Sequence, residues 1–422
     1  MSHEVGVNYM MKTEELLGFV YQNNEYYKKK VSEHNKIATK ESKPFTSITN
    51  YPLLTRQELQ TSWLDMLSKN KDGRGFDNLL RKTSSGSSGI PINVYWDPLD
   101  YNKSMLPLWR LRSKHYGIFP SSRKVNFIYD HYQSNYTIKG LEYILDHNTL
   151  SFCRSSFLAK EDYDKFYMLL VEFNPEWMYI QPSVLNSIVD YLKENNRAAP
   201  RGLRYIECAG ELLTDDIRKK SQSFFNVPIA SMYGSEEMNG IAFECPYHTM
   251  HIIEDNVFAE CLTENGISQH GEGEIVLTNL HNHTMPLIRY LQGDYVNLET
   301  NCKCECGQSG SYLKTINGRS QEAFIADGYR IDTHALVEAM TILNNVMGDV
   351  VKSYKFIYSR QANKLITYMS IADRFIKWQS AIIDELKKIY QKHNIIGIDT
   401  EFIFDEKIDT MVGNKFKILV IQ

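Results

Sequence analysis

The sequence predicts an α/β protein with a large N-terminal domain of parallel-rich sheets and a small α+β domain at its C-terminal end. Three observations lead to this prediction. The chain has 422 residues, more than a single compact core usually holds. Strand-like and helix-like segments alternate up to about residue 240, and short strands bounded by Gly and Asn follow. A mixed α+β pattern begins near residue 318. We expect domains at 1–317 and 318–422, with a β-rich part at about 241–315.

The elements of the N-terminal part follow from hydrophobic periodicity and composition. Helices are expected at residues 13–30 and 56–69, and a long helix after Trp96. Strands are expected at "KVNFIYD", "EWMYIQ", "LRYIECAG" and "PIASMYGS", and helices at 162–173, 182–196 and 215–225. This βαβ order predicts a parallel sheet covered by helices. The later strands "VFAECL", "GEIVLTNL" and "DYVNLE" predict antiparallel hairpins or a small barrel.

The C-terminal part has its own pattern of elements. A helix is expected at residues 334–343, followed by the strands "VVKSYKFIYS" and "KLITYMSIA". The amphipathic helix "RFIKWQSAIIDELKKIYQKH" and the strands "TEFIFD" and "FKILVIQ" complete it. Its size is common for an appended module.

Composition and charge limit the classes of function. Hydrophobic residues make up 43% and charged residues 23% of the chain, as in ordinary globular proteins. A net charge of −4 argues against a nucleic-acid partner, and no apolar run reaches membrane-spanning length. The N-terminus lacks a signal-peptide layout. Seven cysteines, three of them in "NCKCECG", fit a reducing cytoplasm with metal or free thiols. We expect a cytoplasmic enzyme without a membrane partner.

The stretch "TSSGSSGIP" (83–91) is the first candidate site. Backbone amides of a Gly-rich loop can point together at a phosphate. A Walker-type loop requires Lys-Ser/Thr and then a helix, but Ile90 and Pro91 and a strand-like run follow here. The esterase spacing G-x-S-x-G is absent from the stretch as well. A flexible linker is the alternative, and the apolar flanks within one domain favour phosphate binding.

Three further segments follow this loop in a fixed order. They are "SMYGSEEMNG" (231–240), "MPLIRYLQGDY" (285–295) and "INGRSQEAFIADGYRID" (316–332). With "TSSGSSGIP" they resemble the successive motifs of the adenylate-forming superfamily of acyl-CoA synthetases, adenylation domains and luciferase. The series from "FECPYHTMHIIEDNVFAE" through "GEGEIVLTNL" to "CECG" and "GRS" is most similar to the phenylacetate–CoA ligase branch, which includes capsular-polysaccharide-type ligases. The order and spacing of the set carry the resemblance.

The resemblance implies a two-step reaction. ATP and a carboxylic acid form an acyl-adenylate and pyrophosphate, and a nucleophile then takes the acyl group. The branch implies CoA as the acceptor, while an amine, a hydroxyl or a carrier-protein thiol is the alternative. The small C-terminal domain is expected to be mobile between the half-reactions. A non-catalytic nucleotide-binding relative is a further alternative, whereas the acidic net charge leaves little support for a zinc ribbon that contacts nucleic acid.

The resemblance also implies the residues of the nucleotide site. The β- and γ-phosphates would be held by Thr83, Ser84, Ser85, Gly86, Ser87, Ser88 and Gly89. The adenine and ribose side would be formed by Gly210, Glu211, Met232, Tyr233, Gly234, Asp294 and Arg319. Within this set Tyr233 packs on adenine, Asp294 accepts hydrogen bonds from the ribose hydroxyls, and Arg319 contacts phosphate or ribose. Read without their neighbours, the motifs of Gly210, Glu211 and Tyr233 are strand-end turns, and the Gly-Asp pair that contains Asp294 is a hairpin turn.

Catalytic and substrate residues follow from the same motifs. Thr83 acts with the phosphate loop, Glu237 would bind magnesium through oxygen, and Lys415 of "DTMVGNKFKILVIQ" occupies the position of the catalytic lysine. A charged strand end is the alternative for Lys415. The acid would be bound by Gly234 and by the aromatic residues Tyr132 and Tyr136, for which ordinary packing is the alternative.

A cysteine and histidine cluster is predicted in the β-rich part. Cys245, His251, Cys304 and Cys306 could form a tetrahedral zinc site, since thiolates and imidazole are the ligands that structural zinc prefers. Members of the phenylacetate–CoA ligase branch carry similar zinc-binding positions. Cys302 and His248 are alternative ligands, and free cytosolic thiols are the alternative to zinc.

Overall fold

The computed structural model describes residues 2–38, 47–69, 78–84, 92–128, 136–138, 141–153, 162–320, 322–348, 350–405, 408, 411–412 and 415–422. The chain begins with two helices, α1 (Ser2–Asn23) and α2 (Glu25–Ala38), where one helix at 13–30 was predicted. Asn24 divides them. Its buried side chain donates to the Met66 carbonyl (2.8 Å) and accepts from the Tyr27 amide (3.1 Å). Such local side-chain bonding competes with a continuous helix.

The helix predicted at 56–69 is shorter than expected, because α3 covers only Arg56–Thr61. Its start is set by a capping box in which Thr55 and Glu58 each bind the other's backbone amide. The last two residues of the predicted helix bond elsewhere: the Ser68 amide donates to the Thr284 carbonyl at 2.8 Å and the Lys69 amide to the Asn23 carbonyl at 2.9 Å. Those backbone groups are therefore not available for further helical turns.

The Ser/Gly stretch lies between two paired strands, β1 (Leu80–Thr83) and β2 (Asn93–Trp96). They form an antiparallel hairpin, and the Ser84 amide extends it by donating to the Ile92 carbonyl at 2.8 Å. The predicted long helix follows as α4 (Pro98–Tyr116). The hairpin therefore presents the stretch from a paired base.

A single large sheet dominates the described part of the chain. Among the described strands it contains fourteen, in the order β13-β12-β14-β15-β16-β11-β10-β9-β8-β7-β3-β6-β5-β4. In chain order they are β3 (Lys124–Ile128), β4 (Tyr136–Ile138), β5 (Leu141–Asp146), β6 (Thr149–Cys153), β7 (Trp177–Ile180), β8 (Tyr205–Ala209), β9 (Ile229–Ser235), β10 (Asn239–Glu244), β11 (Met250–Ile252), β12 (Val257–Thr263), β13 (Gly266–Ser268), β14 (Gly271–Asn279), β15 (Tyr290–Lys303) and β16 (Ser309–Arg319). The helices α5 (Tyr163–Phe173), α6 (Pro182–Glu194) and α7 (Asp215–Phe225) connect its middle strands.

The parallel half of the sheet agrees with the βαβ prediction. The strand pairs β6–β3, β3–β7, β7–β8 and β8–β9 are all parallel. Helices α5 and α6 pack on this half through buried side chains that include Phe166, Leu185 and Ile188. Burying each such side chain contributes about 1.5–3 kcal/mol of favourable transfer free energy. Strands β4, β5 and β6 have no counterpart in the sequence prediction.

The sequence predicted either antiparallel hairpins or a small barrel in the β-rich part, and the described strands do not form a barrel. Strand β10 pairs antiparallel with β9 after a tight turn, so the later strands continue the parallel sheet. The described strands end at β13 on one side and β4 on the other, which makes this an open sheet. Hydrogen bonding across β9 and β10 joins the two halves, and a separate barrel is not formed by the described residues.

The C-terminal part is the expected α+β unit. Its elements are β17 (Ala323–Ala326), β18 (Tyr329–Asp332), α8 (Thr333–Met347), β19 (Val351–Ser359), β20 (Lys364–Ile371), α9 (Gln379–Lys392), β21 (Asp399–Phe404), β22 (Met411–Val412), β23 (Lys415–Phe416) and β24 (Leu419–Ile421). Four of the described strands form a sheet in the order β21-β20-β19-β24. Its core contains Leu336, Phe356 and Leu386. The fold class predicted from the sequence is thus confirmed.

The C-terminal unit contacts the parallel half near the start of α7. The Asn344 amide donates to Asp216 at 3.0 Å, and the Asn344 side chain also bonds both backbone groups of Val351. Within the described ranges, no helix combines the length and apolar character needed to cross a membrane.

Candidate active site

A cavity of about 430 Å³ lies at the carboxyl ends of β8 and β9 and continues along β16. In open α/β sheets, ligands bind at this edge. The C-terminal unit forms one side of the cavity with Glu322, Lys417 and the start of α8. A wider depression of about 560 Å³ lies on the outside of α5 around Met168, and its described lining contains no predicted site residue. The first cavity is therefore the candidate active site.

Residues from three of the four sequence motifs meet in this cavity, together with Gly210 and Glu211. Its wall contains the predicted residues Gly210, Glu211, Met232, Tyr233, Gly234, Asp294 and Arg319. Gly234 is required sterically, since a Cβ there would lie 2.5 Å from the carbonyl oxygen of Asn239 at the start of the paired strand β10. Glu211 is held in place by the Ser183 amide at the start of α6, which donates to its carboxylate at 3.0 Å.

Asp294 is the centre of a buried polar group in the cavity wall. The Tyr233 hydroxyl donates to one of its oxygens at 2.5 Å, and the Arg319 Nε lies 3.1 Å from the other. Asp294 and Arg319 are directly opposite each other in the β15–β16 pairing, where side chains are close enough to interact. Burial raises the pKa of the Asp294 carboxyl, while Arg319 and the Tyr233 hydroxyl oppose that shift. The Asp294 carboxylate is thus held in the cavity wall by Tyr233 and Arg319.

Glu237 lies in the turn between β9 and β10 and is 3% exposed. Burial raises the pKa of its carboxyl, and the positive charges of Arg319 and Arg56 partly oppose that shift. The neighbouring Glu236 is exposed. Of these two adjacent acids, therefore, only Glu237 is directed inward, where it could bind a cation.

The base of the Ser/Gly stretch is defined by its two described ends. Thr83 is exposed on β1 and its hydroxyl donates to the Asn93 side chain at 2.8 Å. The Ser84 hydroxyl accepts from the Ile92 amide at 3.1 Å. The predicted phosphate-binding residues Ser85, Gly86, Ser87, Ser88 and Gly89 lie outside the described residues. So does Tyr132, and Tyr136 is described only as backbone at the start of β4.

The structure describes the side chain of only one of the two C-terminal lysines, Lys415 and Lys417. Lys415 begins β23, and its side chain lies outside the described part. Lys417 lines the cavity and its Nζ lies 2.8 Å from Glu322. Lys417 and Glu322 were not among the predicted site residues. The motif singled out Lys415 as the catalytic position, and nothing in the local sequence indicates that Lys417 meets Glu322.

The predicted cysteine and histidine ligands are brought together by the antiparallel half. The ligand atoms of Cys245, His251, Cys304 and Cys306 all lie within 4.8 Å of one another. The alternative ligand His248 instead pairs with Glu244 at 3.1 Å. The four residues that lie together are thus the four that the sequence predicted as zinc ligands.

The spacing of these ligand atoms fits a tetrahedral zinc ion. Bonds of about 2.3 Å to sulfur and 2.0 Å to nitrogen place tetrahedral ligand atoms about 3.5–3.8 Å apart. The Cys245 and Cys304 sulfurs are 3.6 Å apart, and the Cys306 sulfur is 3.4 Å from His251 Nε2. Burial lowers the pKa of His251 to about 4, which leaves a neutral imidazole. The donor set therefore suits zinc.

A buried carboxylate connects this cluster with the cavity. Glu244 precedes Cys245, lines the cavity, and accepts from both the Arg218 guanidinium (2.8 and 2.9 Å) and the Ser231 amide (2.6 Å). Sequence reasoning did not identify Arg218 or Glu244, because nothing in their local sequence indicates that they meet.

Relatives of the chain were found by sequence and by structure, although no protein-family model matches it. Protein CapK of Staphylococcus aureus is 24% identical over 406 residues, covering 95% of this chain and 86% of that protein. A phenylacetate–coenzyme A ligase of Thermus thermophilus is 27% identical over 202 residues, covering 46% of this chain and 44% of the ligase. The chain is a member of the adenylate-forming superfamily. Within the superfamily it lies near the phenylacetate–CoA ligases.

The fold of this superfamily member matches that of a solved CoA ligase. The structure of 2-hydroxyisobutyryl-CoA ligase with 2-HIB-AMP in the postadenylation state has a TM-score of 0.75 at 15% identity, covering 98% of this chain and 89% of that one. The same ligase in the thioesterification state, with CoA, has a TM-score of 0.61 at 15% identity and covers 100% and 91%. The architecture of both units is therefore shared, and the agreement is closer with the postadenylation state.

Proposed function

We propose that the chain uses ATP to activate a carboxylic acid as an acyl-adenylate, releases pyrophosphate, and transfers the acyl group to the thiol of CoA. The observation that carries this proposal is the cavity at the ends of β8 and β9. Residues that three of the four motifs assign to one nucleotide line a single wall there, together with Gly210 and Glu211. A phenylacetate–CoA ligase among the relatives supports the same reaction class.

In this proposal the nucleoside binds between Tyr233 and the segment Gly210–Glu211. The ribose hydroxyls donate to Asp294, which is held for that role by the Tyr233 hydroxyl and Arg319. A buried carboxylate with fixed partners loses little free energy to reorganisation when the ribose arrives. Arg319 stays close enough to reach the α-phosphate side of the nucleotide.

The phosphates would lie between the Ser84 end of the hairpin and Glu237. Glu237 would hold magnesium, since its carboxylate is an oxygen ligand in a buried position and a bound cation would favour its ionised form. Magnesium would supply charge neutralisation of the triphosphate. The chain's own contribution is to fix the carboxylate and the backbone amides around the phosphate groups.

The C-terminal unit would change position between the two half-reactions. Lys415 would act in the adenylation step by stabilising the negative charge that develops between the acid's carboxylate and the α-phosphate. The closer match to the postadenylation state of 2-hydroxyisobutyryl-CoA ligase supports such a two-position unit. The acid's own subsite, assigned to Tyr132, Tyr136 and Gly234, remains a proposal.

Acid-dependent exchange of labelled pyrophosphate into ATP tests the first half-reaction. With a panel of aryl, fatty and hydroxy acids, we expect exchange with one class only. A folded protein that binds ATP and exchanges with no acid would contradict the proposal and favour a non-catalytic nucleotide-binding relative. Adding CoA, amines or a carrier protein to the exchanging mixture then identifies the acceptor by the product formed.

A zinc ion in the cluster of Cys245, His251, Cys304 and Cys306 would tie β10 and β11 to the turn between β15 and β16. We expect about one zinc per chain. We also expect Cys304→Ser to remove the zinc and to lower the melting temperature by about 5 °C or more, because a lost structural metal removes folding free energy. Metal analysis and thermal unfolding measure both effects.

Cys302→Ser is the matched control for that change. Cys302 lies two residues away and does not belong to the group of four. We expect it to keep the zinc content and melting temperature of the original chain. If both variants behave alike, or if the purified chain carries no zinc, the cluster consists of free thiols.

A further inference from the structure

The start of α3 lies beside the candidate active site, although no sequence motif placed it there. Leu54 forms a short bridge with β15: its amide donates to the Arg289 carbonyl and its carbonyl accepts from Leu291, each at 2.9 Å. Thr55 then caps α3, so Arg56 is the first residue of the helix. The backbone of Arg56 is therefore fixed next to the strand that carries Asp294.

The Arg56 guanidinium contacts the base of the Ser/Gly stretch. Its Nη2 lies 3.4 Å from the Ser84 hydroxyl, at the base of the Ser/Gly stretch. Its charge opposes the burial-driven rise in the pKa values of both Glu237 and Tyr290. Arg56 thus contacts Ser84 of the predicted phosphate loop and acts electrostatically on Glu237, the carboxylate proposed to hold magnesium.

The start of a helix does not by itself favour a cation. The first turn of a helix carries a positive partial charge, so arginine there is electrostatically unfavourable. The stretch "TSSGSSGIP" contains no cation of its own. A triphosphate brings several negative charges to this place, and a guanidinium binds phosphate oxygens through two parallel hydrogen bonds.

We propose that Arg56 binds the β- and γ-phosphates of ATP and is the cation of the triphosphate subsite. This proposal rests on the proposed use of ATP and adds a residue outside the superfamily motifs. On ATP binding the guanidinium exchanges its contact with the Ser84 hydroxyl for phosphate oxygens. It does not contact a nucleotide that lacks the β- and γ-phosphates.

Binding of ATP and AMP to Arg56→Gln tests this subsite without requiring turnover. We expect ATP affinity to fall by about tenfold to a hundredfold, the usual effect of losing a charged hydrogen-bond donor. AMP affinity should stay within about twofold, because AMP lacks the groups that Arg56 contacts. Titration calorimetry measures both, and thermal unfolding reports whether the variant is folded.

Two further variants make the test specific. Arg81→Gln removes the same charge from an exposed position on β1 and should bind ATP like the original chain. Arg56→Lys keeps a cation and should recover part of the ATP affinity. Equal losses of ATP and AMP affinity in Arg56→Gln, or unchanged ATP affinity, would overturn the proposal while leaving the proposed function intact. If the original chain itself fails to bind ATP, both proposals fail together.

Discussion

Asp294→Ala is expected to weaken ATP binding by about tenfold to a hundredfold, the effect of removing a charged hydrogen-bond acceptor. The carboxylate is buried and is held by Tyr233 and Arg319, so its loss removes the predicted ribose contact. The rate of adenylation at saturating ATP should change much less, because the ribose contact is made equally before and during the reaction. Titration of ATP and single-turnover formation of the acyl-adenylate separate these two quantities.

The same substitution leaves Arg319 without its carboxylate partner, so stability must be measured beside affinity. We expect a lower melting temperature, since breaking a buried ion pair leaves the other charge uncompensated and destabilises the folded state. Glu264→Ala, at an exposed position after β12, is the matched control and should leave both ATP affinity and melting temperature unchanged. A folded Asp294→Ala variant with the original ATP affinity would rule out the ribose role.

Lys415→Ala should have the opposite pair of effects, slowing adenylation much more than it weakens ATP binding. We expect adenylation to slow by about a hundredfold or more, the usual effect of removing a group that stabilises developing charge. ATP affinity should remain within about twofold, because the contact is proposed to form in the transition state. Pyrophosphate exchange and ATP titration measure the two effects.

Lys417→Ala is the comparison variant for Lys415→Ala. Lys417 lies in the cavity wall and pairs with Glu322, and Glu322 in turn raises the pKa of Asp294. Losing Lys417 should therefore weaken ATP binding by a few-fold, as expected for a partly exposed ion pair, and slow adenylation far less than Lys415→Ala does. The reverse order of effects on adenylation would assign the catalytic role to Lys417.

The motif-based predictions succeeded where a residue's role follows from the short motif that contains it. The superfamily was indicated by the order of four motifs, "TSSGSSGIP", "SMYGSEEMNG", "MPLIRYLQGDY" and "INGRSQEAFIADGYRID". The relatives confirm it. The residues around Tyr233 and Asp294 do meet in one cavity. The helix at 56–69 was predicted too long, because the amides of Ser68 and Lys69 at its expected end donate to the distant carbonyls of Thr284 and Asn23, which no local pattern reveals.

The sequence by itself determined the fold class, the superfamily and the four metal-ligand candidates, since periodicity, motif order and residue chemistry are all encoded locally. Only the tertiary structure decided that the β-rich part continues the parallel sheet, that Glu244 and Lys417 line the cavity, and that Arg56 contacts Ser84. These residues reach the site through strand pairing and helix packing between distant segments. Such contacts depend on the whole hydrogen-bonded sheet, and no short stretch of sequence specifies them.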